Sequence, residues 1–259
     1  MAAGSGAEPS VEALAESQVE RGWSLNLYVG AGEAGGAWQS GNRKPRDFVP
    51  AGEAADPDRA AAEAARRARG KIRRYCTANR LNRLGTLTYR GAGNHDPVLL
   101  RLHLGEFFRG LRSGLGGRPV PYLWVPEWHK GGHGLHAHFA VGQFVKRGLI
   151  EAAWPHGFVH IKLIGDLPVG TGPIGEARRA AGYLAKYVGK DFDHEKLLGR
   201  HRYEVAQGFQ PEPVTLHGYL LDDVMRQAIA AMGRPPSYVW QSQISEGWQG
   251  PPAVWAAWE

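Results

Sequence analysis

The stretch PYLWVPEWHKGGHGLHAHFAV, residues 121–141, holds two alternating apolar runs separated by a Gly-Gly pair. Gly-Gly is a recognised hairpin turn, so PYLWVPEW and GLHAHFAV are expected to pair as antiparallel strands. A two-residue turn at Gly131 and Gly132 sets the register: Lys130 opposite His133, Trp128 opposite Leu135, and Glu127 opposite His136. Directly opposed side chains share a face, with Cβ atoms about 4.5–5.5 Å apart. His138, two residues beyond His136, points the same way. One face of the hairpin therefore carries Glu127, His136 and His138. The other carries Tyr122, Trp124, Trp128, Leu135, Phe139 and Val141, a surface suited to a core.

Two imidazoles and a carboxylate on a rigid hairpin make a divalent-metal site with open positions. A nitrogen and oxygen donor set without thiolate is compatible with Mg²⁺, Mn²⁺ or Zn²⁺. The plain alternative is a pair of hydrogen-bonded sheet histidines beside an unrelated surface glutamate. His129 and His133, at the turn, are expected to face solvent.

Outward from the hairpin, ADPDRAAAEAARRARGKIRRYCTANR predicts a helix over about 57–77, with an aspartate cap and strong helix formers. RLGTLTYR alternates as a strand, and residues 97–113 read as an amphipathic helix. KRGLIEAAW is a short helix, GFVHIKLI a strand, and EARRAAGYLAKYVGK a helix that follows a Gly/Pro loop. VTLHGYLLDDVMRQAIAAM is expected to end in a helix. Strands and helices mixed in this way suggest an α+β fold with a mainly antiparallel sheet. Residues 1–55 read as a poorly ordered or loosely packed extension in which WSLNLYV is a lone strand. Residues 56–235 then form the principal domain, and 236–259 a Trp-rich tail whose indoles pack back on the domain.

The chain has 259 residues and a formal charge of +6, which favours a polyanionic partner. One cysteine, Cys76, excludes a disulfide framework and a multi-cysteine zinc cluster. No apolar run approaches the roughly 20 residues that span a bilayer. The opening MAAGSGAEPSVEALAES has no basic start or apolar stretch, so a cytoplasmic protein with no membrane partner is expected. No Gly-rich phosphate loop ending in Lys-Ser or Lys-Thr occurs; VGKD at 188–191 follows a helical segment and has no hydroxyl residue.

In AAGYLAKYVGK, Tyr183 and Tyr187 are four residues apart and share a side of their helix. Lys186 and Lys190 follow them by three residues each. A neighbouring cation favours a phenolate, and a bound metal polarises a phosphoryl oxygen. The set is thus equipped to attack a DNA phosphodiester, with Arg178 and Arg179 placed for phosphate contacts. The alternative is an amphipathic helix with its tyrosines buried and its lysines in water.

Taken together, these segments resemble the HUH endonuclease superfamily, specifically rolling-circle replication initiator (Rep) proteins of bacterial plasmids and small single-stranded-DNA phages. GTLTY (85–89) resembles the family's first motif, a Thr-bearing strand, which places Thr88 among expected DNA contacts. LHAHF (135–139) is similar to the second, histidine–hydrophobic–histidine, and GYLAKYVGK (182–190) to the two-tyrosine form of the third. The resemblance implies a five-stranded antiparallel sheet flanked by helices, with the metal hairpin facing the tyrosine helix. It implies His136, His138 and Glu127 as ligands of Mg²⁺ or Mn²⁺, Tyr183 and Tyr187 as nucleophiles, and Lys190 and Lys186 as aids at the phosphate. It also implies nicking of single-stranded or hairpin origin DNA through a 5′-phosphotyrosine link, with a host helicase and polymerase as partners. A transposase or relaxase on the same scaffold is the near alternative, although relaxases usually carry a third histidine where Glu127 stands. A basic DNA-binding protein without catalysis is the more distant one.

Overall fold

Two aspartates open two of the three longest helices among the described residues, each followed directly by proline. Asp56 Oδ1 accepts from the Arg59 N–H at 2.9 Å, and Asp96 Oδ1 from the Val98 N–H at 2.7 Å. Each cap is worth about 1 kcal/mol. In chain order the computed structural model contains β1 (Arg21–Tyr28), β2 (Glu33–Ser40), α1 (Pro57–Ala78), β3 (Arg83–Tyr89) and α2 (Pro97–Gly114). There follow β4 (Tyr122–Trp128), β5 (Leu135–Val141), α3 (Arg147–Ala153), β6 (Gly157–Lys162) and α4 (Pro173–Lys190). The chain ends with β7 (Glu204–Val205), β8 (Val214–Gly218), α5 (Leu221–Met232), β9 (Tyr238–Gln241) and β10 (Ala253–Ala257). The described residues are 21–41, 49–50, 53–162, 171–190 and 202–259, the side chains of 189 and 190 excepted. They divide into two units: residues 49–211, and residues 1–48 together with 212–259.

The 49–211 unit is an α+β fold around a five-stranded antiparallel sheet of order β6-β3-β5-β4-β7, as expected. Alternation along the strands sends Leu87, Ala137 and Phe139 to one face, against Leu104, Phe107 and Trp154 of the α2 and α3 side. Leu84, Leu123, Val125 and Ala140 face the opposite way, onto Ile72 and Cys76 of α1 and Leu184 and Val188 of α4. Each face thus has its own helical layer.

The hairpin register is as expected, with Glu127 opposite His136 and Trp128 opposite Leu135. The turn is longer than two residues. His129 N–H donates to Gly134 O at 2.8 Å, and Gly132 N–H to His129 O at 3.1 Å, with Gly132 at φ 76°. Lys130–His133 therefore form a loop centred on the same point, and the expected Lys130–His133 pair is absent from the ladder. Because the loop is symmetrical about that point, every strand side chain keeps its face. Pro126 is tolerated because β7 pairs only with Leu123 and Trp124, which leaves β4 an edge beyond them.

The second unit corrects the domain boundaries. β1 and β2 are not a loose extension, and WSLNLYV is not a lone strand. They join a five-stranded sheet of order β8-β1-β2-β10-β9, whose last two strands come from the expected tail. Residues 212–235, expected within the principal domain, supply β8 and α5 to this sheet. Its core gathers Trp23, Leu25, Leu27, Val224, Ala228, Val254 and Trp258. The run AGGA in β2 reads as linker because glycine depresses strand propensity. Here Gly36 is required: a Cβ would lie 2.0 Å from Ser24 O of the neighbouring strand. Residues 1–20 and 42–48 of the expected extension lie outside the described residues. Among the described residues, no helix is long and apolar enough to cross a membrane.

Candidate active site

The three central strands of the 49–211 unit bring polar side chains together on the α1 and α4 face. Register places Thr86 opposite His138 and Thr88 opposite His136 on β3 and β5. Thr86 Oγ1 lies 2.9 Å from His138 Nδ1, and Thr88 Oγ1 lies 3.0 Å from His136 Nδ1. His138 Nε2–H donates to Glu127 Oε2 at 2.7 Å, the diagonal neighbour across the hairpin. His136 Nε2 is buried and has no hydrogen-bond partner. Burial, with the neighbouring His129 and His138, pushes the His136 imidazole down to about 4 despite Glu127. His136 is therefore neutral at pH 7, the form that ligates metals.

The turn histidines are more engaged than expected. His129 is exposed yet stacks on His136 at 4.7 Å between centroids. His133 is half-buried, with Nε2 3.1 Å from Tyr89 O.

The α4 helix delivers its tyrosines to the same face. The Tyr187 ring lies on the His138 ring at 3.9 Å, and Tyr183 meets that imidazole edge-on at 6.0 Å. The Tyr187 hydroxyl donates to the Tyr183 hydroxyl at 2.7 Å. Burial, then the bond to Tyr183 and the nearby Glu127 charge, push the Tyr187 phenol well above its usual range. Lys186 and Arg179 are exposed on α4, and Arg178 is half-buried. Lys190 closes the helix, and its side chain lies outside the described residues. The hydroxyl of Thr88, expected at DNA, bonds to His136 on this face.

Two features here went unread in the sequence. Lys162, at the end of β6, places its ammonium 4.0 Å from the centre of the Tyr183 ring. Thr86 and Thr88 repeat the spacing of the two histidines, a signal that a search for matched i, i+2 polar pairs would have found.

A second His/Glu/His group occurs elsewhere in the unit, also unanticipated. His103, Glu106 and His156 offer donor atoms that all lie within 4.8 Å of one another, which gives a capacity for metal coordination. Burial and the adjacent His156 push the His103 imidazole below its usual range.

Residues 82–192 match a family model of replication-associated proteins, the ORF2 type. No curated protein and no solved structure is significantly similar to the chain. The matched segment runs from the residue before β3 past the end of α4, and so contains the histidine hairpin and both tyrosines. Over this segment the chain is similar to replication-associated proteins, and the His103, Glu106 and His156 group adds a capacity for metal coordination.

Proposed function

We propose that the protein is a replication initiator that nicks and rejoins single-stranded DNA at a replication origin by tyrosine transesterification. The observation that carries this reading is the seating of Tyr187 on His138 at 3.9 Å with its hydroxyl bonded to Tyr183. Two phenols thereby stand beside two imidazoles and a carboxylate.

The donor set fits a divalent ion, Mg²⁺ or Mn²⁺. His136 Nε2 is a buried nitrogen without a partner, and Glu127 and His138 adjoin it on the same face. Glu127, His136 and His138 would hold the ion, which when bound supplies positive charge to polarise the scissile phosphate. Thr86 and Thr88 fix the ring orientation of both histidines.

The chain's own groups account for the transfer. Tyr183 accepts a hydrogen bond from Tyr187, lies under the Lys162 ammonium, and is the more accessible phenol, half-buried where Tyr187 is buried. Tyr187 is held protonated by burial. Tyr183 is therefore the first nucleophile. Its oxygen forms a bond to phosphorus as the bond to O3′ breaks. The departing oxygen takes up a proton in place of the one lost by the phenol, leaving a 3′-OH and a 5′-phosphotyrosine. One ester replaces another, so rejoining requires no nucleotide. Tyr187 serves the second cleavage while Tyr183 still holds its strand.

A cleft of about 460 Å³, lined in part by Arg83, Phe144, Arg147 and Lys162, offers a path for the strand. Phe144 is 68 % exposed, with the Arg83 guanidinium 5.6 Å from its ring centre. Exposed aromatics among cations stack and neutralise single strands. Unwinding and elongation would fall to a host helicase and polymerase.

The test is to incubate the protein and Mn²⁺ with single-stranded oligonucleotides spanning its own origin region, then run a denaturing gel. A DNA-linked protein band is expected. Neither adduct nor nick across that pool would leave a non-catalytic DNA-binding protein.

A further inference from the structure

We infer that His103, Glu106 and His156 form a second metal site, for a borderline transition ion such as Zn²⁺, which ties α2 to the segment between α3 and β6. This inference does not depend on the nicking reading.

The ligands come from two separately anchored places. His103 and Glu106 are three residues apart on α2 and so share one side of it. His156 precedes β6, and its carbonyl accepts from the Arg90 N–H at 3.1 Å, while the Arg90 guanidinium donates to Pro155 O at 2.9 Å. The segment is thus held to the end of β3 before any ion binds. The His103 and His156 rings stack at 3.6 Å and 14°, and Glu106 Oε2 lies 3.9 Å from His156 Nε2. Tetrahedral zinc with bonds near 2.0–2.2 Å sets its ligand atoms roughly 3.3 Å apart. Small rotations of three partly exposed side chains reach that spacing.

The surroundings are those of an oriented site. The Tyr89 hydroxyl lies 3.0 Å from His103 Nδ1, which leaves Nε2 for the ion. The Trp154 ring meets both Tyr89 and His156 edge-on at 5.1 Å, walling the inner side. Two imidazoles with one carboxylate form a donor set that zinc-like ions accept. Three protein ligands leave one position for water. The group is separate from the tyrosine site: Leu87 and Tyr89 pack toward α2, whereas Thr86 and Thr88 turn to His138 and His136 on the α4 side.

The test uses the full chain, stripped of metal and titrated with Zn²⁺ by calorimetry and with Co²⁺ by visible absorption. Wild-type protein is expected to take up an equivalent that Glu106→Gln and His103→Ala lose or bind at least about tenfold more weakly. Tyr89→Phe should weaken the same equivalent by about 10–100-fold. The zinc-dependent rise in thermal midpoint should shrink in step, while Mn²⁺-dependent nicking persists. Glu106 is exposed, so Glu106→Gln keeps the experiment valid should His103→Ala fold poorly. Unchanged zinc uptake in Glu106→Gln with a native circular dichroism spectrum overturns the inference. So does a single equivalent that disappears only in His136→Ala, and that outcome leaves the nicking proposal standing.

Discussion

The Tyr187 ring lies flat on the His138 imidazole, 3.9 Å between centroids and 13° between planes. His138 in turn donates to Glu127 at 2.7 Å and lies 2.9 Å from Thr86 Oγ1. The contact joins the helix that carries the phenols to the hairpin that carries the donors. His138 is only 6 % exposed and Tyr187 8 %. Their relative placement is therefore part of the core.

Unequal roles are expected for the two phenols. Tyr183→Phe should slow the first cleavage by about 10²-fold or more, the scale of losing a reacting group. Tyr187→Phe should retain most of the first cut and lose the coupled second one. The double substitution should form no adduct on a denaturing gel. Adduct from the double variant would place the nucleophile elsewhere.

Metal affinity should respond both to the donors and to the hydroxyls behind them. Glu127→Gln and His136→Ala should each remove Mn²⁺-dependent nicking. Thr88→Val keeps the shape of the strand but leaves His136 Nδ1 without its partner. Calorimetry should find Mn²⁺ binding weakened about 10–100-fold in that variant. An imidazole ligates only when neutral, and His136 takes up its proton only at about 4, so Mn²⁺ affinity should fall as pH drops toward that value. Affinity that stays flat through it would count against His136 as a ligand.

A depressed imidazole also makes folding stability depend on pH. The unfolded chain binds a proton at His136 below its ordinary 6.5, whereas the folded chain does not until about 4. Between those values the unfolded state holds more protons, so stability falls as pH falls through the window and the contribution is gone near its lower end. Urea melts of metal-free protein at several pH values should show this slope. His136→Asn should flatten it.

Gly85 tests the packing beneath the site. A Cβ there would lie 2.4 Å from the Phe139 ring, which fills the space between β3 and α2. Gly85→Ala should cost about 1–3 kcal/mol by overpacking, read as a lower denaturant midpoint with an unchanged slope. A neutral effect would mean that the ring turns aside freely.

Strand binding should depend on the cleft aromatic. Phe144→Ala should weaken single-stranded DNA binding by about 1–3 kcal/mol in a fluorescence anisotropy titration, with little sequence preference. Metal affinity should not change.

Much of this was legible in residue order. The alternation of β5 and the position of Gly131 and Gly132 placed Glu127, His136 and His138 on one face, because side chains along a strand repeat every two residues. Their register survived a longer turn than expected for the same reason. The four-residue spacing of Tyr183 and Tyr187 likewise put both phenols on one side of α4. These are local periodicities, and each depends on residues near one another in the chain.

What only the tertiary structure decided are the meetings between distant segments. Nothing local says that β2 pairs with β10, that Lys162 comes over Tyr183, that Thr86 and Thr88 back the two histidines, or that His156 stacks on His103. Strand order and the packing of helices on each sheet face set those contacts. Both arise from burying the summed apolar surface of the whole chain, a quantity that no short stretch contains.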